Sequence, residues 1–139
     1  MIAVQPGADL GRQFDAAGGA GKPSIGQVAV SYGRDEGAAR QRAHEQFRWF
    51  TGGWDVMAEL PGPSHFAAAS QSVREEDIAS QVPCGPDLQA HVDAVAEFLE
   101  AGFTVALVQI GGDHQGDFLE WSEQELLPAA PPARRLAGC

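Results

Sequence analysis

Between residues 75 and 125 the chain has no lysine and no arginine. That stretch carries twelve of the nineteen acids, whereas residues 1–74 balance seven acids with seven bases. A nucleic-acid surface needs clustered cations to release phosphate counterions. The charge pattern therefore excludes nucleic acid as a partner, and it disfavours an anionic membrane surface for the same reason. Under a net charge of −10, the acids read as solvated helix faces.

Cysteine is scarce, with only Cys84 and Cys139 and no CxxC. Two such distant thiols suit a reduced, cytoplasmic protein. The four histidines (His44, His65, His91, His114) lie more than twenty residues apart, so local spacing supports no metal site. His44-Glu45 lacks the second histidine of a zincin helix. No apolar run approaches the ~20 residues of a membrane span. The start, Met1 to Pro6, has no basic region of a signal peptide. Gly18-Gly19-Ala20-Gly21-Lys22 lacks the glycine spacing and the hydroxyl residue of a phosphate loop. There is no nucleophile elbow, and no carboxylate pair stands out beyond helix caps and faces.

What is present reads as one α/β domain of 139 residues. Ile2-Ala3-Val4 is a β stub, and residues 9–17 suit a short helix. Residues 25–32 read as a strand with Val28 and Val30 on one face. Asp35 can cap a helix running to about residue 50, with Ala39, Ala43, Gln46, Phe47 and Phe50 as its inner stripe. Residues 51–63 form an irregular excursion rich in glycine and proline. Ser64 and Ser72 are candidate caps, with Ser72-x-x-Glu75 as a capping box and Ile78 and Val82 buried behind it. Pro86 opens a helix that ends before Gly102, with Leu88, Val92, Val95 and Leu99 on one face. Residues 103–110 are nearly all apolar, as in a parallel strand covered on both faces. A last helix covers about residues 113–127, with Phe118, Leu119, Trp121 and Leu126 apolar. Residues 129–139 form a flexible tail. Strands separated by helices predict a parallel sheet with right-handed crossovers.

Ligands of such folds bind at the carboxyl ends of the strands. That selects Val4-Gln5, Ser31-Tyr32 and Ile110-Gly111-Gly112-Asp113. The two glycines suit a tight turn with Asp113 as cap, or a close approach to an anion or flat ring. Trp49, Phe50 and Trp54 at helical spacing are core material, or the wall of a pocket for a flat ring. His65, His91 and His114 have the side chain for acid–base work near neutrality, but none has a partner at defined spacing.

Several stretches fall together in a family's order. They are residues 26–30 (Gly-Gln-Val-Ala-Val), residues 43–54 with Trp49, Phe50 and Trp54, Ala58-Glu59-Leu60-Pro61, His65-Phe66, residues 83–87 (Pro-Cys-Gly-Pro-Asp), residues 108–113 (Val-Gln-Ile-Gly-Gly-Asp), and Glu125-Leu126-Leu127-Pro128. On these residues the chain resembles the C-terminal part of a luciferase-like oxidoreductase dependent on the deazaflavin coenzyme F420. The resemblance implies a partial (β/α)₈ TIM barrel: residues 1–128 would supply strands six to eight and a helical excursion. It implies hydride transfer between the deazaflavin and an organic small-molecule substrate. Related enzymes use flavin mononucleotide instead. Val4, Gln5, Tyr32, Trp54, His65 and Gln109 would be pocket walls, and none of them a catalytic residue.

Two departures qualify these implications. The family's main coenzyme contacts and its acid–base histidine lie on the first five strands, so the chain alone is expected to be inactive. The family's sugar-phosphate dehydrogenases hold phosphate with a threonine and a lysine where Val4 and Gly7 stand. A further lysine and arginine fall near His65-Phe66 and about His91. Losing those donors costs several kcal/mol of phosphate binding, which argues against a sugar-phosphate substrate. The alternative role is a non-catalytic half-barrel that pairs with itself or with a partner, such as an N-terminal half, to cover its open sheet edges.

Overall fold

A computed structural model describes residues 1–132. The described residues form a mixed α/β structure with a three-stranded sheet in the order β1-β2-β3, where β1 is Ile2–Ala3, β2 is Ile25–Val30 and β3 is Thr104–Gln109. Strand β1 runs parallel to β2, with Ile2 opposite Ile25 and Ala3 opposite Gly26. Thr104 donates to the Ser24 carbonyl at 3.0 Å and Ile110 to the Val30 carbonyl at 2.8 Å. The two bonds share one sequence offset, as a parallel pair requires. In β2 the β-branched and small residues alternate in burial, with Gly26, Val28 and Val30 inside.

The chain divides into two compact units. The first comprises Met1–Ala29, Leu88–Val108 and the described residues from Leu119 on. Its helices are α1 (Ala8–Phe14), which ends in a wider turn over Asp15–Gly19, and α6 (Leu88–Glu100). His91, Val95 and Phe98 of α6 are buried. The Phe98 ring meets Phe103 edge-on at 6.1 Å, and His91 meets Trp121 at 5.0 Å. Gly26 lets Phe98 approach: a Cβ there would stand 2.3 Å from its Cδ1. Pro86 lies before α6 rather than at its first position, while Gly102 follows the helix at φ +93°.

Strand β3 is not covered on both faces. Thr104 and Ala106 are exposed, and Val105, Leu107 and Val108 are half-buried. It is an outer strand of the described sheet, so its side chains lack a neighbour on one flank. Beside it, Val95, Leu99, Val105, Leu107, Leu126 and Leu127 line an apolar cavity of about 420 Å³.

The second unit comprises Val30–Asp87 and Gln109–Phe118. It holds α2 (Glu36–Phe47), α3 (Gly53–Glu59), α4 (Pro63–Ala69) and α5 (Glu75–Ala79). Asp35 caps α2 as expected, its Oδ1 accepting from Ala38 N–H at 2.8 Å. Ala39 and Ala43 are buried, but Gln46 is exposed, and the helix passes into a 3₁₀ turn over Arg48–Gly52. The excursion at 51–63 is not irregular throughout, since α3 forms within it. Ser64 stands inside α4 rather than before it. The cap of α5 is Arg74, not Ser72. Its backbone N–H donates to Asp77 Oδ2 at 2.9 Å, because the chain enters the helix two residues later. Ile78 and Val82 are buried behind it.

The last helical stretch begins with α7 (Gln115–Trp121) and continues through a wider turn over Ser122–Leu126 to α8 (Leu127–Ala129). Phe118, Trp121 and Leu126 are buried, but Leu119 is 64% exposed. Of the tail expected at 129–139, everything from residue 133 lies outside the described residues.

Candidate functional site

The site is built in the second unit, where the chain leaves β2 and β3. Ser31 extends β2 by a parallel bridge to Cys84. Ser31 N–H donates to the Pro83 carbonyl, and Gly85 N–H donates to the Ser31 carbonyl, both at 2.9 Å. Gly85 has φ +87°, and a Cβ there would meet the Glu36 Cα at 3.0 Å. Only glycine fits this crossing. The Cys84 thiol is half-buried, and its Sγ lies 3.3 Å from the Val82 carbonyl. Burial pushes its pKa up to about 11; Arg40 and Arg42 oppose the shift, and Glu36 adds to it. The thiol therefore stays protonated near neutrality and is a poor nucleophile.

Next to this bridge, Gln109 clamps the backbone of Tyr32. Tyr32 N–H donates to Gln109 Oε1 and Gln109 Nε2 donates to the Tyr32 carbonyl, each at 2.9 Å. The side-chain amide thus supplies what a neighbouring strand's peptide would supply. Arg42 of α2 reaches the same place: its Nη2 donates to the Tyr32 carbonyl, and its Nε to Ser31 Oγ at 3.3 Å. Ser31 Oγ in turn donates to the Ala39 carbonyl at 2.8 Å, which ties the strand end to α2. Gly111, at φ +92°, lies under Arg42: a Cβ there would stand 2.6 Å from Arg42 Cδ. The Tyr32 ring is 7% exposed and lies 6.4 Å from Phe118.

Tyr32, Gly33, Arg34, Arg42, His114 and Asp117 line a cleft of about 230 Å³ here, beside the Asp35 cap. Asp35 is engaged by the α2 N-terminus, and Asp117 Oδ2 lies 3.9 Å from His114 Nδ1. Arg34 is exposed and makes no hydrogen bond or ion pair among the described residues. His114 has φ +65°. Left-handed backbone costs a non-glycine residue roughly 1–2 kcal/mol, so this turn is held by its surroundings. Gln115 Nε2 contributes by donating back to the Gly111 carbonyl. The cleft is lined by both signs of charge, Arg34 and Arg42 with Asp35 and Asp117.

No protein-family model matches the chain, and no curated protein matches it. Among solved structures, an F420-dependent secondary alcohol dehydrogenase in complex with an F420-acetone adduct aligns with a TM-score of 0.65 at 17% identity. The alignment covers 94% of this chain and 42% of that one. The likeness is one of fold. The chain therefore spans less than half the length of the dehydrogenase it matches.

Of the residues singled out from sequence, the structure brings Tyr32 and Gln109 together. His65 is exposed on α4, with Nδ1 3.5 Å from Ser64 Oγ, and does not line the cleft. Trp54 falls in the first turn of α3, and its side chain lies outside the described set. Val4 is half-buried and Gln5 exposed, on the bend after β1 in the first unit. His91 is buried in the first unit against Trp121. Sequence reasoning missed Arg42. The signal was a cation on the same helix face as Ala39, three residues before it. Among the described residues no group of three or more His, Cys, Asp or Glu is placed to hold a metal ion, and no helix is long and apolar enough to cross a membrane.

Proposed function

We propose that this chain forms the last three strands and the helical excursion of a (β/α)₈ barrel. In that barrel a hydride passes between coenzyme F420 and an organic substrate. The fold shared with an F420-dependent dehydrogenase over 94% of the chain carries this reading. On this reading the Tyr32–Gln109 clamp and the Arg42 tether fix one wall of the barrel's mouth. The cleft of about 230 Å³ is smaller than the ~300–1,000 Å³ of ordinary ligand sites. The residues of this cleft therefore do not fit a whole coenzyme, and no step of hydride transfer is assigned to them.

The test is a fluorescence titration with oxidised F420. It is run on the chain alone and on the chain joined to the first five strands of the matched dehydrogenase. The chain alone is expected to give no saturable change at high micromolar coenzyme, and the joined protein to bind. A joined protein that is folded by circular dichroism, yet fails to bind while the parent dehydrogenase binds, overturns the reading.

A second reading rests on β3, an outer strand with half-buried apolar residues beside an open cavity. It makes the chain a non-catalytic half-barrel that self-associates. Sedimentation velocity over a range of concentrations separates the two. A compact monomer throughout counts against self-association.

A further inference from the structure

The aromatic run after α2 builds a second cleft, independent of the strand ends and of the coenzyme reading. Its walls are Arg48, Trp49, Pro63, Phe66, Ala67 and Ser70, and it holds about 440 Å³. That volume lies within the range of small-molecule sites. Trp49 meets Phe66 edge-on, with centroids 6.0 Å apart and planes at 89°. Trp49 also packs against Phe47, with centroids 4.8 Å apart. Two rings at right angles make an apolar corner that suits a flat body.

Three polar side chains at this corner have partners, and a fourth has none. Trp49 Nε1 donates to the Gln46 carbonyl at 3.2 Å, so the indole is 37% exposed but offers only its apolar surface. Ser70 Oγ donates to the Phe66 carbonyl at 2.8 Å. Glu45, also on the rim, accepts from Gln41 Nε2 at 2.9 Å and forms no ion pair with Arg48. Arg48 is half-buried, and its guanidinium has no hydrogen bond or ion pair among the described residues. Its donors are unspent, and a guanidinium fork matches a carboxylate through two parallel hydrogen bonds.

We propose that this cleft binds a monocarboxylate with a flat apolar body. The body lies in the Trp49–Phe66 corner and the carboxylate is held by Arg48. Arg48 decides the class: it is the polar group on the wall without a partner, whereas the Glu45 carboxylate accepts from Gln41.

The test uses 2-naphthoate and its neutral counterpart 2-naphthalenemethanol. Binding is measured by equilibrium dialysis and by quenching of tryptophan fluorescence. The wild-type protein is expected to bind naphthoate saturably, and the alcohol about tenfold or more weakly, the margin of a lost charge-assisted pair. Arg48→Gln should lower naphthoate affinity by about the same factor and leave the alcohol unchanged. Ala67→Phe, at an exposed position on the wall, should block both compounds without disturbing the fold. Trp49→Phe should retain dialysis binding and reduce the quench. Equal binding of acid and alcohol, unchanged affinity in Arg48→Gln, or no saturation at millimolar naphthoate would each overturn the proposal.

Discussion

Helices α2 and α6 are nearly equal in length, at twelve and thirteen residues, yet they are held in different ways. Helix α6 buries large side chains, His91, Val95 and Phe98, the last with its ring against Phe103. Helix α2 buries only Ala39 and Ala43. Directional bonds fix it instead: the Asp35 cap, Ser31 Oγ to Ala39, Arg42 to Tyr32, and His44 Nε2 2.7 Å from the Val73 carbonyl. A helix held by volume can be repacked with other apolar residues of similar size. A helix held by hydrogen bonds to peptide groups fixes where its charged side chains stand. Arg42 of one cleft stands on α2, and Arg48 of the other follows the helix directly.

The largest way to break this contrast is Phe98→Ala, which should cost about 3–5 kcal/mol in urea unfolding. Phe98→Leu should recover much of that loss, since volume rather than direction is at stake. A loss under about 1 kcal/mol for Phe98→Ala would mean that α6 is not held by packing. A smaller effect tests α2. Gly111→Ala should cost roughly 1–3 kcal/mol, from the left-handed backbone and the Arg42 side chain above it. In the Arg42→Ala background the cost should fall, and a double-mutant cycle measures the difference. Strict additivity would show that Arg42 does not press on this glycine.

The smallest effect concerns pH. Burial raises the Cys84 pKa from 9.0 to about 11, so the folded protein keeps a proton that the unfolded chain releases over that interval. Its contribution to stability is complete below about pH 9 and is lost as pH rises through about 11. Urea midpoints should therefore decline across this window, and Cys84→Ala should flatten the decline. A Cys139→Ser background keeps the other thiol out of the comparison. An unchanged slope in Cys84→Ala would place the pH dependence elsewhere.

What the sequence disclosed follows the same division. Alternation in β2 depends on volume, and periodicity reveals volume; on α6 the pattern picked out Val95, but the buried face is His91, Val95 and Phe98, with Leu88, Val92 and Leu99 half-buried. Val28, Val30, Val95, Ile78 and Leu126 were legible for that reason. The Asp35 cap was legible because a carboxylate before a helix has a stereochemical purpose. Arg42 was not, because its partners Ser31 and Tyr32 are carried to it by the turn out of β2, and that geometry leaves no pattern along the chain. Gln109 entered only through the family resemblance, as a pocket wall, and its engagement with a peptide 77 positions away was beyond spacing arguments. Ser72 satisfied the pattern of a capping box, yet the helix began one turn's fraction later, where Arg74 and Asp77 make the reciprocal bonds. The full burial expected of β3 failed for a further reason. An apolar run reports what a strand can tolerate on its faces, not how many neighbours the sheet supplies.

The pairing of Ser24 with Thr104 also sets a clock. The two residues are bonded in the sheet but are separated by eighty positions of chain. At a synthesis rate of about 5–20 residues per second, β2 emerges roughly 4–16 s before the strand that pairs with it. Throughout that interval the nascent chain presents a β-branched edge with unfilled peptide groups.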